Sequence, residues 1–420
     1  MYQVTRLPNG LTVATAEMPH MASASVGLWV GVGGRHEPAE LNGVSHFIEH
    51  MLFKGTRKRS AKDISQAVEG IGGYLNAFTT EENTCFYSKA RHDRLGELVE
   101  VLMDMFLNSV FDRGEITKER EVIKEELAMY LDHPHHHVHE LLNETLWPGH
   151  PLGRSLTGTE QTLNRMSRRQ MLAFRQQHHV SGGVLVAAAG NLRHAQVVRV
   201  VSPYAFRFTP GPRPSCAPFA GAQERPRARF FSKDTAQMQI ALGIRACSRH
   251  DRRRSALRML NAILGENMSS RLFQVLREDH GLTYSIQSNL SFFDDVGTLT
   301  ISAGLDTGRL KEVLKLTMRE LRRCIDEPLT AAGLRRGRDY LIGQLELGLE
   351  STESQMTWIA EHLLAYGNIL SPAQVKRNLG QVTAAQVRAL ARDIFVPSGM
   401  NLAVVSPLKS SRGLADLLVP

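Results

Sequence analysis

At 420 residues, 42% of them hydrophobic and 22% charged, the chain can form two or three domains with sizeable cores and is too apolar to be disordered or fibrous. A net charge of +8 invites anionic partners, yet the cations are dispersed except for Arg57-Lys58-Arg59 and Arg252-Arg253-Arg254, and no nucleic-acid module surrounds either run. Both runs read as solvated surface, which leaves nucleic-acid binding as the weaker reading.

The amino-terminal stretch MYQVTRLPNGLTVATA has no basic region ahead of an apolar core, and no window holds 18 uninterrupted apolar residues. Neither a signal peptide nor a membrane span is expected. LTVATAEM and SASVGLWVGVG are short, β-rich and bounded by turn residues, so they read as strands. Four cysteines, Cys85, Cys216, Cys247 and Cys324, stand far apart without a C-x-x-C pair. That spacing argues against a disulfide scaffold or a thiolate zinc site and for a reducing compartment.

The run VSHFIEHMLFKGT, from Val44 to Thr56, has helical periodicity with apolar residues on most sides. His46 and His50 are four apart and share a face; Glu49, three from His46, borders it. Two neutral imidazoles one turn apart can grip one Zn²⁺, and a neighbouring carboxylate can take a proton from water. H-x-x-E-H is the reversed form of the zincin H-E-x-x-H pattern. A lone buried histidine is usually a core residue, but burying two imidazoles and a carboxylate unpaired would cost several kcal/mol. A third ligand is expected from the acidic helix EREVIKEELAMY, where Glu119, Glu121, Glu125 and Glu126 lie; Glu119 and Glu126 are two turns apart on one side. Spacing leaves open which of these two would bind metal and which would orient it. The next stretch, LDHPHHHVHE, holds His133, His135, His136, His137 and His139. Such tracts can bind metal; beside Pro134 at a helix break they read as solvated surface, with any metal there adventitious.

GVLVAAAG is a further strand, followed by FRFTPGPRPSCAPFAGAQERPRAR from Phe206 to Arg229, which has linker composition. Residues 1–207 then form one domain, 208–228 a linker and 229–420 a second domain. The second half supplies strands at FSKDTAQMQIALGI, GTLTISAGL and NLAVVSP, and it echoes the first. Arg35-His36-Glu37 matches Arg249-His250-Asp251, RLGELVEVLMDMF matches RLKEVLKLTMREL, and EREVIKEELAMYLD matches GRDYLIGQLELGLE. The expected fold is α+β: two homologous domains of mixed or antiparallel sheet with helices packed on one face, related by internal duplication. The chemistry is not repeated. The second half has no counterpart of His46 and His50, and Gln344 stands where the first has Glu126. A purely structural role would be needed in both copies, so ionisable groups in only one point to function.

VSHFIEHMLFKGT, GGYLNAFTTEENTCFY, EREVIKEELAMYLD and SSRLFQVLREDHGLTYSI together closely resemble the insulinase-like, or pitrilysin-type, zinc metallopeptidases. The resemblance spans the chain and is nearest to the short bacterial members and to the catalytic subunit of the mitochondrial processing peptidase. It implies zinc, one ion per chain, on His46, His50 and Glu126, with Glu49 as general base and Glu119 as supporting acid. It implies that Arg277 and Tyr284 hold substrate and its developing oxyanion, and that Asn76 and Ala77 lie on an edge strand that pairs with an extended peptide. The implied activity is zinc-dependent endopeptidase cleavage of small or unfolded peptides inside a chamber. Dimerisation would complete that chamber, as a homodimer or with a related inactive subunit. A non-catalytic subunit or scaffold of the same fold is the alternative. The implied compartment is a bacterial cytoplasm, or else a mitochondrial matrix; no membrane or nucleic acid is implied as partner.

Overall fold

The computed structural model describes residues 2–407 and 413–418. They form two compact units, each built on one mixed sheet. In the first, strands β1 (Tyr2–Arg6), β2 (Thr12–Glu17), β3 (Ser23–Val30), β4 (Tyr74–Thr79), β5 (Thr84–Arg91) and β6 (Val184–Gly190) lie in the order β1-β2-β6-β3-β5-β4. Strands β2 and β6 run parallel; every other pairing is antiparallel. Alternation along the strands sends Val13, Val26, Leu28 and Val186 to one face. There they meet α1 (Val44–Leu52), α2 (Ala61–Glu69) and α3 (Leu95–Asn108) through Phe47, Ile48, Val68, Leu98 and Leu102. The helix α4 (Arg113–Asp132) follows, and α5 (Pro134–Leu146) begins after a single intervening residue, His133.

In the second unit, β7 (Arg227–Ser232), β8 (Met238–Ala246), β9 (Thr283–Phe292), β10 (Gly297–Leu305) and β11 (Met400–Ser406) lie in the order β7-β11-β8-β10-β9. Here too one pair, β7 and β11, is parallel and the rest antiparallel. Strand for strand this repeats β2-β6-β3-β5-β4, which makes the duplication explicit. One face of this sheet packs on the helices Arg254–Leu264, Leu310–Asp326 and Ala384–Ile394 through Leu257, Leu260, Leu314, Leu321 and Leu390.

The units do not coincide with the two halves of the chain, and this corrects the expected division at 1–207 and 229–420. The first unit comprises the residues up to Ala128, Arg154–Ala217 and Leu347–Ile369; the second comprises Met129–Gly153, Pro218–Glu346 and the residues from Leu370 on. Each half lends the other unit one helix. Every residue of β6 and of β11 is buried, so both faces of these sheets must be covered. The helix Thr352–Tyr366 covers the second face in the first unit, packing Met356, Ile359 and Ala360 on Ala14, Ala187 and Ala189. A Cβ on Gly27 would lie 2.9 Å from Met356 Sδ, so the small residues let that helix approach. In the second unit α5 does the same, packing Val138, Leu142 and Leu146 on Ala241, Ala403 and Val405, with a Cβ on Gly243 falling 2.9 Å from Leu142 Cδ1. The expected linker has no helix or strand between Ala205 and Arg227. Among the described residues no helix is long and apolar enough to cross a membrane.

Candidate metal centre

Helix α1 starts at a left-handed Gly43 (φ 92°), where a Cβ would sit 2.8 Å from the Thr157 carbonyl oxygen. No side chain at the cap position serves its free amides. The buried carboxylate of Glu37 takes that place, accepting from Gly43 N at 2.7 Å, Ser45 N at 2.8 Å and Asn42 Nδ2 at 3.1 Å. Burial still pushes the Glu37 carboxyl up, against the pull of these donors. The start of the helix is thus fixed in position before its chemistry begins.

From α1, His46 and His50 project together, their ring centroids 4.5 Å apart. Helix α4 brings Glu126 to them: its Oε2 lies 3.7 Å from His46 Nε2 and 3.6 Å from His50 Nε2. Ligand atoms of these three residues fall within 4.8 Å of one another, and among the described residues this is the single group of three that could hold a metal ion. Two imidazole nitrogens and one carboxylate oxygen, with a further position open, is the donor set of a catalytic zinc, so the residues fit. Burial, and then the neighbouring His50, push His46 down to about 3 and keep it neutral, as a ligand requires.

Glu119, on one side of α4 with Glu126, does something different. Its Oε1 is 2.8 Å from His50 Nδ1 and its Oε2 is 2.7 Å from Lys54 Nζ. Burial alone would raise this carboxyl, but the bonds from His50 and Lys54 outweigh it and hold it below the usual range. Occupying Nδ1 fixes the ring of His50 with Nε2 turned to Glu126. Spacing along α4 leaves the two glutamates interchangeable; the packing of α4 against α1 separates them.

Glu49 is also buried, and burial raises its carboxyl above the ordinary value, with Thr79 and His50 opposing. Its Oε2 accepts a short hydrogen bond from Thr79 Oγ1 at the end of β4. Strand β4 is the edge of its sheet, paired on one side with β5 through Asn76 opposite Tyr87 and Ala77 opposite Phe86. The Ala77 amide donates to Asn76 Oδ1 at 2.8 Å. Asn76 and Ala77 therefore lie on an edge strand, as expected.

Arg277 and Tyr284 belong to the second unit. Arg277 lies on the π-helical stretch Phe273–Asp279 and Tyr284 near the start of the edge strand β9. The Arg277 guanidinium carbon is 5.8 Å from the Tyr284 ring centroid and 4.8 Å from that of Phe273, and Tyr284 is 77% exposed. The structure brings these two together with each other. Three further residues of the first unit, Glu37, Thr79 and Lys54, take part in the site; Lys54 and Thr79 lie inside motifs read from the sequence that assign them no role. Glu37 carries a trace of its role in the sequence through the match of Arg35-His36-Glu37 with Arg249-His250-Asp251.

The family description Insulinase (Peptidase family M16) matches residues 12–160, and Peptidase M16 inactive domain matches residues 165–341. An uncharacterized zinc protease of Streptomyces coelicolor is 38% identical over 416 residues, covering 97% of this chain and 90% of that protein. One from Mycobacterium tuberculosis is 38% identical over 418 residues, covering 99% and 95%, and one from Bacillus subtilis is 34% identical over 403 residues, covering 95% and 97%. Among solved structures, a protease from Helicobacter pylori superposes with a TM-score of 0.90 at 20% identity, covering 97% of this chain and 99% of that one. That last likeness shows the fold; the sequence relatives, alike along almost their whole length, place this chain in the insulinase family, peptidase family M16.

Proposed function

We propose that the chain is a zinc-dependent endopeptidase for small or unfolded peptides. The observation that carries this reading is the convergence of His46 Nε2, His50 Nε2 and Glu126 Oε2, with the buried Glu49 on the same helix as the two histidines. The relatives named zinc proteases support zinc as the metal. Bound there, zinc would act as a Lewis acid on the scissile carbonyl and acidify a water. His46, His50 and Glu126 would hold it, and Glu119 fixes His50. Glu49 takes the proton from the attacking water and returns it to the leaving amine, its raised carboxyl suiting both steps. Thr79 engages Glu49 Oε2, leaving Oε1 for the proton. The outer edge of β4 at Asn76 and Ala77 takes an extended peptide as an added strand, a mode that reads backbone more than side chain. Arg277 and Tyr284 contribute a guanidinium and a phenol as donors to substrate carbonyl oxygen. A homodimer completes the enclosure that limits substrates to small or unstructured chains.

Replacing Glu49 by Gln tests this most directly. Hydrolysis of a quenched fluorescent peptide should fall about 10²–10⁴-fold, the usual contribution of a general base, with zinc content unchanged. Undiminished turnover would overturn the assignment.

A further inference from the structure

The histidine-rich run at the start of α5 is used by nothing described so far. Pro134 opens the helix, so the run sits on two helical turns and the side chains are ordered by helical geometry. His137 points inward, buried, its ring 4.3 Å from that of Phe231. His135 and His139, four apart, share a more accessible side: His135 is exposed, His139 is half-buried, and their ring centroids are 5.3 Å apart. The pair that anchors the first metal centre, His46 and His50, has the same i, i+4 relation at 4.5 Å. His136, also exposed, lies 5.8 Å ring to ring from His135. The helix Thr352–Tyr366, which covers the corresponding sheet face in the first unit, carries a single histidine, His362, so the run is particular to one copy of the duplicated fold.

We propose that His135 and His139 form a second metal site, for one divalent transition-metal ion of the zinc, nickel or copper type, separate from the centre at His46, His50 and Glu126. Imidazoles one turn apart can place a nitrogen each on a common ion. With two protein ligands the site is weaker than the three-ligand centre and takes water in its other positions; His136 is near enough to serve as a third after a change of rotamer. The pair contains no oxygen donor, so calcium and magnesium are poor occupants. An ion there ties the first turn of α5 to its second, directly beyond the break at His133 that separates α5 from α4.

The test is zinc stoichiometry of the untagged full chain, dialysed against micromolar zinc and read by elemental analysis. Two ions per chain are expected for the wild type, one for H135A/H139A and one for H46A/H50A, each variant checked for folding by circular dichroism. One ion in the wild type, or two in H135A/H139A, overturns the proposal. A second readout uses the H46A/H50A variant: Cu²⁺ added to it should give an electron paramagnetic resonance spectrum with nitrogen couplings from two imidazoles, and the spectrum of aqueous copper alone overturns the proposal.

Discussion

The two units share five strands in one order and differ where a pair of their helices meets. In the first, α1 and α4 leave between them a space occupied by His50, Glu119 and Glu126. In the second, the matching helices are Arg254–Leu264 and Ala331–Gly348. Gly337 stands at the position of Glu119, and a Cβ there would meet Met259 Sδ at 2.8 Å and Ile263 Cγ1 at 3.2 Å. Met259 is fully buried and Gly337 is buried, so the second unit fills with apolar packing the room that the first keeps for carboxylates. One scaffold thus supports either a polar cluster or a closed seam, and the choice rests on a few side chains where two helices meet. The description Peptidase M16 inactive domain, which matches residues 165–341, falls largely on the copy with the closed seam.

Among changes at this helix seam, the largest expected effect comes from removing the charge on Glu119, which has no counterpart in the second unit. Glu119→Gln keeps the size of the side chain but removes the charge that holds His50 Nδ1 and Lys54 Nζ. Zinc affinity should fall about 10–100-fold, as is typical when a group orienting a metal ligand is lost; unchanged affinity in a competition titration with a chelator would break the comparison. Reversing the direction, Gly337→Glu forces a side chain against Met259 and Ile263. Thermal or denaturant unfolding should register a loss of about 1–3 kcal/mol from overpacking, and no zinc should be gained, since the matched helix Arg254–Leu264 carries no histidine. A neutral or stabilised variant would mean that the seam is looser than the contacts imply. The smallest effect is expected at Thr79→Val, which removes one hydrogen bond to Glu49. A loss of about 0.5–1.5 kcal/mol in transition-state stabilisation corresponds to a roughly two- to twelvefold drop in kcat/KM, with zinc content unaltered.

Several of these features are legible in the order of the amino acids. The i, i+4 pair of His46 and His50 with Glu49 beside it follows from helical periodicity, and the duplication follows from the matched motifs. The short, β-rich runs GVLVAAAG and NLAVVSP mark strands in the sequence, and the structure buries every residue of both strands. What covers the second face is not written near them in the chain: the helix that packs on β6 comes from residues 352–366 and the one on β11 from residues 134–146. The cap of α1 likewise comes from Glu37, several positions before the first helical residue, beyond the local pattern that identifies helix starts.

By itself, then, the amino-acid order determined the helix that presents two imidazoles, the acidic helix that must answer it and the repetition of an α+β layer, because each depends on spacing over one or two turns of backbone. Tertiary structure decided that Glu126 faces both imidazoles while Glu119 holds His50 from behind, that Thr79 engages Glu49, and that each sheet borrows its second cover from the other half. Those outcomes depend on how helices and sheets pack across long separations in sequence, where side-chain shape and burial set the distances and local periodicity has no hold.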